Sequence, residues 1–154
     1  MLYAKPLLVT FNGWLLGVLF FDLLWDGLAV ANPAYVEVSR NRYLHIQTLE
    51  ATPLGGIAHG LLSAFFIILL LLSIYRAVTK FSFLKVIPVL CHGSNTAIIV
   101  TLLDPAKLAF RTTGSPQAAF DVFLYHSIMT VLCLIAFMSL WIKTSSKQSA
   151  KKNV

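Results

Sequence analysis

Five ionisable side chains lie beside long apolar stretches of this sequence, where chemistry in a membrane protein would take place. They are Asp22, Asp26, His59, Asp104 and His126. If the stretches are helices that bring these residues to the same side, carboxylates and imidazoles converge in a lumenal polar cluster. Such a cluster can hold a divalent metal ion or carry out general acid–base catalysis. The same groups can instead pair with one another across helices and hold a bundle together.

The spacing of these residues favours pairing or partner binding over catalysis. The sequence has no HExxH, no HxxxH and no paired-carboxylate motif. We therefore predict no catalytic residue, no metal and no cofactor. The alternative, a small membrane enzyme that acts on a lipid or sterol, requires these residues to enclose a pocket of at least ~300 Å³.

Small and polar residues inside the apolar stretches indicate helix packing or client binding. Gly13 and Gly17 are four residues apart, and so are Gly56 and Gly60. This GxxxG spacing lets two helix backbones approach closely within a membrane. It serves either packing inside the bundle or a groove for another membrane protein. Two further polar residues, His92 and Asn95, share one face of a third helix and could satisfy a partner's polar groups.

Other chemistries find little support in the sequence. Cys91 and Cys133 lie within apolar stretches and there is no CxxC motif, which disfavours a thiol redox enzyme. No glycine-rich phosphate loop or nucleophile elbow occurs. The net charge of +6 does not imply nucleic acid, because the basic residues flank the apolar stretches.

The elements that must position these residues are transmembrane helices. Apolar residues make up 58% of the 154-residue chain and charged residues only 12%, against roughly 25% in a soluble domain. About 20 apolar residues cross the ~30 Å hydrocarbon core. We predict an all-α protein with one four-helix transmembrane domain, residues 1–142, and a basic tail, residues 143–154. The predicted spans are residues 6–25, 54–75, 86–103 and 122–142.

Two loops on the lumenal side are predicted to differ in character. Asn32-Pro33 ends the first helix, and Ala34–Ala51 has apolar residues at loosely helical spacing, which suits a short amphipathic helix on the membrane surface. Thr52-Pro53 then begins the second span. The second loop, Asp104–Ala118, contains Pro and Gly turns and is predicted to be irregular. The connector between spans two and three is short and predicts an antiparallel hairpin.

The basic residues predict that both termini are cytosolic. Eight fall on the terminal side and four on the other. The eight are Lys5, Arg76, Lys80, Lys85, Lys143, Lys147, Lys151 and Lys152, and the four are Arg40, Arg42, Lys107 and Arg111. The alternative, a cleaved signal peptide ending at Ala29-Val30-Ala31, is disfavoured because Asp22 and Asp26 interrupt the apolar stretch.

The last residues carry a targeting pattern. Lys151 and Lys152 stand four and three residues from the carboxyl end, as in the dilysine signal that retrieves membrane proteins to the endoplasmic reticulum. This pattern predicts an endoplasmic-reticulum membrane protein whose tail contacts vesicle-coat components. A basic tail that only orients the last helix is the alternative.

The order of these features resembles a known family. Asn32-Pro33, the stretch from His45 to Leu54 and above all Thr52-Pro53-Leu54 are similar to the fungal endoplasmic-reticulum membrane chaperones that assist amino-acid permeases. The likeness covers nearly the whole chain in layout. The basic tail here is shorter than the long charged tails of that family.

The resemblance implies a non-enzymatic assembly factor. Such a protein would keep polytopic transporters, amino-acid permeases among them, from aggregating until they leave the endoplasmic reticulum. Its partners would be these clients and membrane lipid. The enzyme described above and an accessory subunit of a stable membrane complex remain the alternatives.

Overall fold

The computed structural model describes the backbone of residues 4–79 and 82–152 and the side chains of residues 5–79 and 82–141. Nearly all of this part is helical, and it contains no strand. The helices are α1 (Ala4–Ala31), α2 (Val36–Glu50), α3 (Pro53–Thr79), α4 (Phe83–Ile98), α5 (Asp104–Thr113) and α6 (Pro116–Lys152). A 3₁₀ turn (Pro33–Tyr35) precedes α2, and a π-helical turn (Ile99–Leu103) joins α4 to α5.

Four helical segments of the described chain are long and apolar enough to cross a membrane, which confirms the prediction of an all-α fold with four candidate spans. They are Lys5–Ala31, Pro53–Thr79, Phe83–Thr113 and Pro116–Trp141. Each is longer than the predicted span, because helices continue past the apolar core into the interface. The basic tail belongs to the same helix as the fourth span as far as Lys152.

The main packing interface joins the first and last of these helices. A Cβ on Gly13 would lie 3.6 Å from Phe137, and one on Gly27 would lie 3.5 Å from Phe123. These two pairs run in opposite directions along the chain, so α1 and α6 are antiparallel. The start of α1 and the end of the fourth span therefore lie at the same end of the bundle, called here the terminal end. The end where α2 packs is called the α2 end.

The third span differs from its prediction. Residues 104–113, predicted as part of an irregular loop, extend the helix, and only Gly114 and Ser115 interrupt it. The π-helical turn, in which Asp104 N–H bonds the Ile99 carbonyl, shifts the bonding register just before Pro105, where a missing N–H is then tolerated. Gly114 ends α5 in the left-handed conformation (φ 59°) and donates to the Phe110 carbonyl at 2.9 Å.

The predicted loop helix is present as α2, and the face that it turns toward the bundle carries Ser39 and Tyr43. Ser39 and Tyr43 are buried, whereas Val38, Ile46 and Leu49 are exposed. The exposed residues of α2 are mixed, since Glu37 and Glu50 are exposed as well, and such a surface suits a helix at the boundary between lipid and water. Arg40 Nε donates to the Arg111 carbonyl at 2.7 Å and so ties α2 to α5.

The Asn32-Pro33 and Thr52-Pro53 motifs end and begin helices. Asn32 Oδ1 accepts a 3.0 Å bond from Ala34 N–H, and Pro33 opens the 3₁₀ turn. Thr52 Oγ1 accepts from Gly55 N–H at 3.1 Å, while Pro53 is the first residue of α3. Both motifs therefore act as caps that set the entry and exit of α2.

Candidate functional site

A buried polar cluster joins three helices at the α2 end. Asp22 and Asp26 stand one turn apart on α1, His126 comes from α6, and Arg42 and Tyr43 come from α2. His126 Nδ1 lies 2.6 Å from Asp26 Oδ2, and the Tyr43 hydroxyl donates to Asp26 Oδ1 at 2.7 Å. We call these five residues the Asp–His–Arg–Tyr cluster.

Arg42 completes the cluster by bridging both carboxylates. Its Nη1 donates to Asp22 Oδ1, and its Nη2 lies 3.4 Å from Asp26 Oδ1. His126 Nε2 lies 3.8 Å from Asp22 Oδ2. Two carboxylates thus face one guanidinium and one imidazole.

These contacts contribute to stability because the groups that make them are buried. Asp26 is 2% exposed and His126 is 1% exposed, so neither can replace a lost partner with water. Burial raises the pKa of Tyr43, and the adjacent Asp26 carboxylate raises it further. The phenol therefore stays neutral and can donate its proton to the hydrogen bond with Asp26.

Aromatic contacts hold the α2 side chains in place. The Arg42 guanidinium lies 4.4 Å from the centre of the Tyr43 ring, a distance suited to cation–π attraction. The ring of Phe110 on α5 meets Tyr43 edge-on at 5.9 Å. The cluster is thus held from α5 as well as from the three helices that supply its polar groups.

The structure brings three of the five sequence-predicted cluster residues together and leaves two outside. His59 is exposed near Glu50, with Nδ1 to Oε1 at 3.8 Å, because α3 begins where α2 ends rather than beside Asp26. Asp104 is exposed on the outer side of the third span. The expectation that His59 and Asp104 face Asp22, Asp26 and His126 is therefore corrected.

Arg42 and Tyr43 were not among the predicted site residues. A signal for them exists in the sequence, because Ser39 and Tyr43 are four residues apart and define one face of α2. The predicted lumenal helix was assigned from its apolar residues. Of those residues, Val38, Ile46 and Leu49 are exposed, and the residues that contact the bundle lie on another face of α2.

A second polar layer lies deeper between α1, α4 and α6. The Asn12 amide donates to the Leu8 carbonyl at 2.7 Å and lies 3.5 Å from His92 Nε2, while Cys133 Sγ lies 3.5 Å from the Asn12 carbonyl. Asn95 Nδ2 reaches the Met129 carbonyl at 3.5 Å. His92 and Asn95 are buried inside the bundle. They pack helices together, which is one of the two roles that the sequence leaves open for them.

Some of the GxxxG glycines pack against another part of the protein, and others face open space. Gly13 contacts Phe137 on α6. A Cβ on Gly17 or on Gly60 would meet nothing within 4 Å, and Gly56 would meet only the Glu50 carbonyl at 3.8 Å. Two of the four glycines, Gly17 and Gly60, therefore leave room beside their helices that no described part of the chain fills.

An apolar groove runs between α1 and α3. It has a volume of about 690 Å³. Its lining residues are Leu7, Thr10, Phe11 and Trp14 on α1 and Ala58, Leu61, Leu62 and Phe65 on α3. The Phe11 ring closes one side by meeting Phe65 and Phe66 edge-on at 4.8 and 5.1 Å. We call this feature the α1–α3 groove.

The chemistry that this arrangement supports is helix association. None of the five residues of the Asp–His–Arg–Tyr cluster lines the α1–α3 groove. Within residues 5–79 and 82–141, no three His, Cys, Asp or Glu side chains gather as a metal site. The fold and site define a multi-span helical membrane protein in which the Asp–His–Arg–Tyr cluster joins three helices at the α2 end. Comparison with protein-family models, curated proteins and solved structures finds no match.

Proposed function

We propose that this protein is a membrane assembly factor that helps polytopic transporters, such as amino-acid permeases, to fold and to leave the endoplasmic reticulum. The observation that carries the proposal is the α1–α3 groove. The sequence resemblance to permease chaperones points the same way.

The groove has the properties of a helix-docking surface. α3 is the least covered span, with 11% of its most apolar stretch buried, against 39% for α6. Its outward residues are large and apolar, Leu54, Ile57 and Leu61 among them, with the open Gly60 between them. A helix with one face free and a gap beside α1 can accept a client helix at van der Waals distance.

Weak binding suits this role. Polar contacts between helices in a membrane average under ~1 kcal/mol each, and the groove offers almost none. A client would be held by shape and dispersion alone and could leave once its own helices pack. The polar groups His92, Asn95 and Asp26 stay inside the bundle, so the helper keeps its own fold while the client exchanges.

Site-specific crosslinking tests the groove directly. A photoreactive amino acid at Leu61, which is 67% exposed and lines the groove, is expected to crosslink newly made transporters in pulse-labelled cells. The crosslinks should fade during a chase, because mature clients leave. The same amino acid at Val131, 56% exposed on α6, is the matched lipid-facing control and should give few such products.

The crosslinked partners also separate the competing functions. One partner present at constant ratio throughout the chase would identify an accessory subunit of a stable complex. Lipid-only products at both positions would reject the chaperone proposal and leave the lipid-modifying enzyme as the leading alternative.

The proposed location rests on the charge asymmetry and on the tail. We place both termini in the cytosol and α2 on the lumenal side, since the terminal end carries the larger number of basic residues. The side chains of Lys151 and Lys152 lie outside the described residues. The signal that they form is read by a receptor and needs no fixed structure.

Substitution of the tail lysines tests the location. Lys151→Ser together with Lys152→Ser is expected to move the protein from the endoplasmic reticulum to later secretory compartments, because the retrieval signal is lost. Lys143→Ser together with Lys147→Ser removes the same charge and should leave the protein in place. Immunofluorescence with an N-terminal tag measures both. Equal redistribution of the two variants would show that the tail acts only through its charge.

A further inference from the structure

A small basic recess opens at the terminal end, where α1, α3, α4 and α6 meet. Its enclosed space is only about 20 Å³, and the empty space reaches about 360 Å³ when the open mouth is counted. Lys5, Arg76 and Lys85 supply its charge, Ser73 and Ser139 supply hydroxyls, and Leu8, Leu84, Pro88 and Leu140 supply apolar walls. No carboxylate is among these lining residues, so the recess has a net positive charge.

Two polar groups in this recess are buried without a hydrogen-bond partner. They are the Ser73 hydroxyl and Nη1 of Arg76. Ser73 is 3% exposed, and a serine within a helix would ordinarily bond a carbonyl of the preceding turn. Buried polar groups in folded proteins nearly always have a partner, so an unpaired hydroxyl beside an unpaired guanidinium N–H marks a place where an acceptor is missing.

The missing acceptor has to be an anion that can take several hydrogen bonds. Ser73 offers one O–H, and Arg76 offers guanidinium donors suited to phosphate oxygens. Lys85 adds a mobile ammonium group. A phosphate group has the charge and the acceptor oxygens to satisfy all three, whereas water would satisfy the donors but leave the positive charge unbalanced.

The position of the recess identifies where the phosphate comes from. Ser73 and Arg76 lie in the last two turns of α3, Leu84 and Lys85 lie in the first turn of α4, and both helices end here. This is the level of a lipid headgroup. The recess combines these polar groups with leucine and proline side chains, and a lipid with one polar and one apolar end requires both.

We propose that this recess binds the phosphate headgroup of an anionic phospholipid between α1, α3, α4 and α6. Ser73 and Arg76 hold the phosphate, and Lys85 closes over it from the solvent side. The lipid thereby stabilises the contact of α3 with the rest of the bundle, which is the weakest contact of any span. The inference concerns the terminal end only and does not depend on the proposed chaperone role.

The proposal is tested by the lipid dependence of thermal stability in the full-length protein. We expect phosphatidylinositol 4-phosphate, added to the protein in phosphatidylcholine nanodiscs, to raise the unfolding temperature. Ser73→Ala should weaken this lipid's apparent affinity about tenfold, and Arg76→Gln by at least as much, because each removes a hydrogen bond to a charged group. Lys147→Gln, which removes one charge from the tail, is the control and should change the affinity little.

Ser73→Ala also distinguishes a loss of lipid binding from a loss of the fold. It deletes an unpaired buried hydroxyl, so without anionic lipid the variant should be as stable as the parent protein or more so. Inorganic phosphate that competes with the lipid would show that the site recognises the phosphate itself, while competition by the soluble headgroup alone would add the inositol ring to the recognised group. Equal lipid shifts in the parent, Ser73→Ala and Arg76→Gln, or an equal loss in Lys147→Gln, would overturn the proposal.

Discussion

Asp26→Ala is expected to lower the free energy of unfolding by about 3–5 kcal/mol, the usual cost of removing one partner from a buried ion pair. The substitution leaves Arg42, Tyr43 and His126 without the carboxylate that all three contact. Because the site is buried, these groups do not regain full solvation by bulk water. Reversible unfolding in mixed micelles measures the change, with loss of the helical signal as the readout.

Two further variants make this prediction specific. Tyr43→Phe removes a single hydrogen bond and should cost about 1–2 kcal/mol, since Asp26 keeps Arg42 and His126. Glu37→Gln removes a carboxylate of the same helix α2 that is 62% exposed and pairs only with Arg40, and it should change stability by less than about 0.5 kcal/mol. If Asp26→Ala were as mild as Glu37→Gln, the Asp–His–Arg–Tyr cluster would not lock the helices.

Gly55→Ala is expected to disrupt the turn between α2 and α3, at a cost of about 1–3 kcal/mol or more. A Cβ at this position would lie 1.9 Å from the Leu49 carbonyl oxygen and 2.9 Å from the Glu50 Cα. Both atoms belong to the backbone, so the clash cannot be relieved by turning a side chain. The turn has to open, and α3 would lose its position beside α1.

The neighbouring glycine is the control. A Cβ on Gly56 would lie 3.8 Å from its nearest contact, the Glu50 carbonyl, so Gly56→Ala should be tolerated and gain about 0.5–1 kcal/mol of helix stability. Thermal unfolding of both variants in one detergent compares them. Equal stability of the two variants would show that the α2–α3 turn adapts without cost. In crosslinking from Leu61, Gly55→Ala should also reduce client capture, because α3 forms one wall of the α1–α3 groove.

Hydropathy predicted four spans well because apolar length is a strong constraint in a membrane. It underestimated the length of the helices, since polar residues such as Asp26 and Arg76 continue a helix into the interface. The third span shows why loops are harder. Asp104-Pro105 signals a break in a soluble protein, but here a single wider turn before Pro105 keeps the helix intact.

The candidate site was only partly predictable for a similar reason. Asp22, Asp26 and His126 lie on long helices whose entry side follows from the order of the spans, so their approach could be anticipated. His59 was misplaced because the start of α3 depends on the length and tilt of α2, which no local pattern reveals. Arg42 and Tyr43 were missed because both faces of α2 mix polar and apolar residues, so the sequence does not indicate which face packs on the bundle.

The antiparallel pairing of α1 with α6 fixes the order in which the protein can be assembled during synthesis. These two helices are the first and the last of the described chain, yet they form its main interface. Until α6 is inserted, α1 presents Leu8, Leu15 and Asp26 to the lipid or to whatever insertion machinery accompanies it. The connections among α2, α3 and α4 can form earlier, because they join neighbours in sequence. The bundle therefore closes only when the fourth span is inserted. If a ribosome stalls before Pro116, Asp22 and Asp26 lack the imidazole of His126, which α6 supplies.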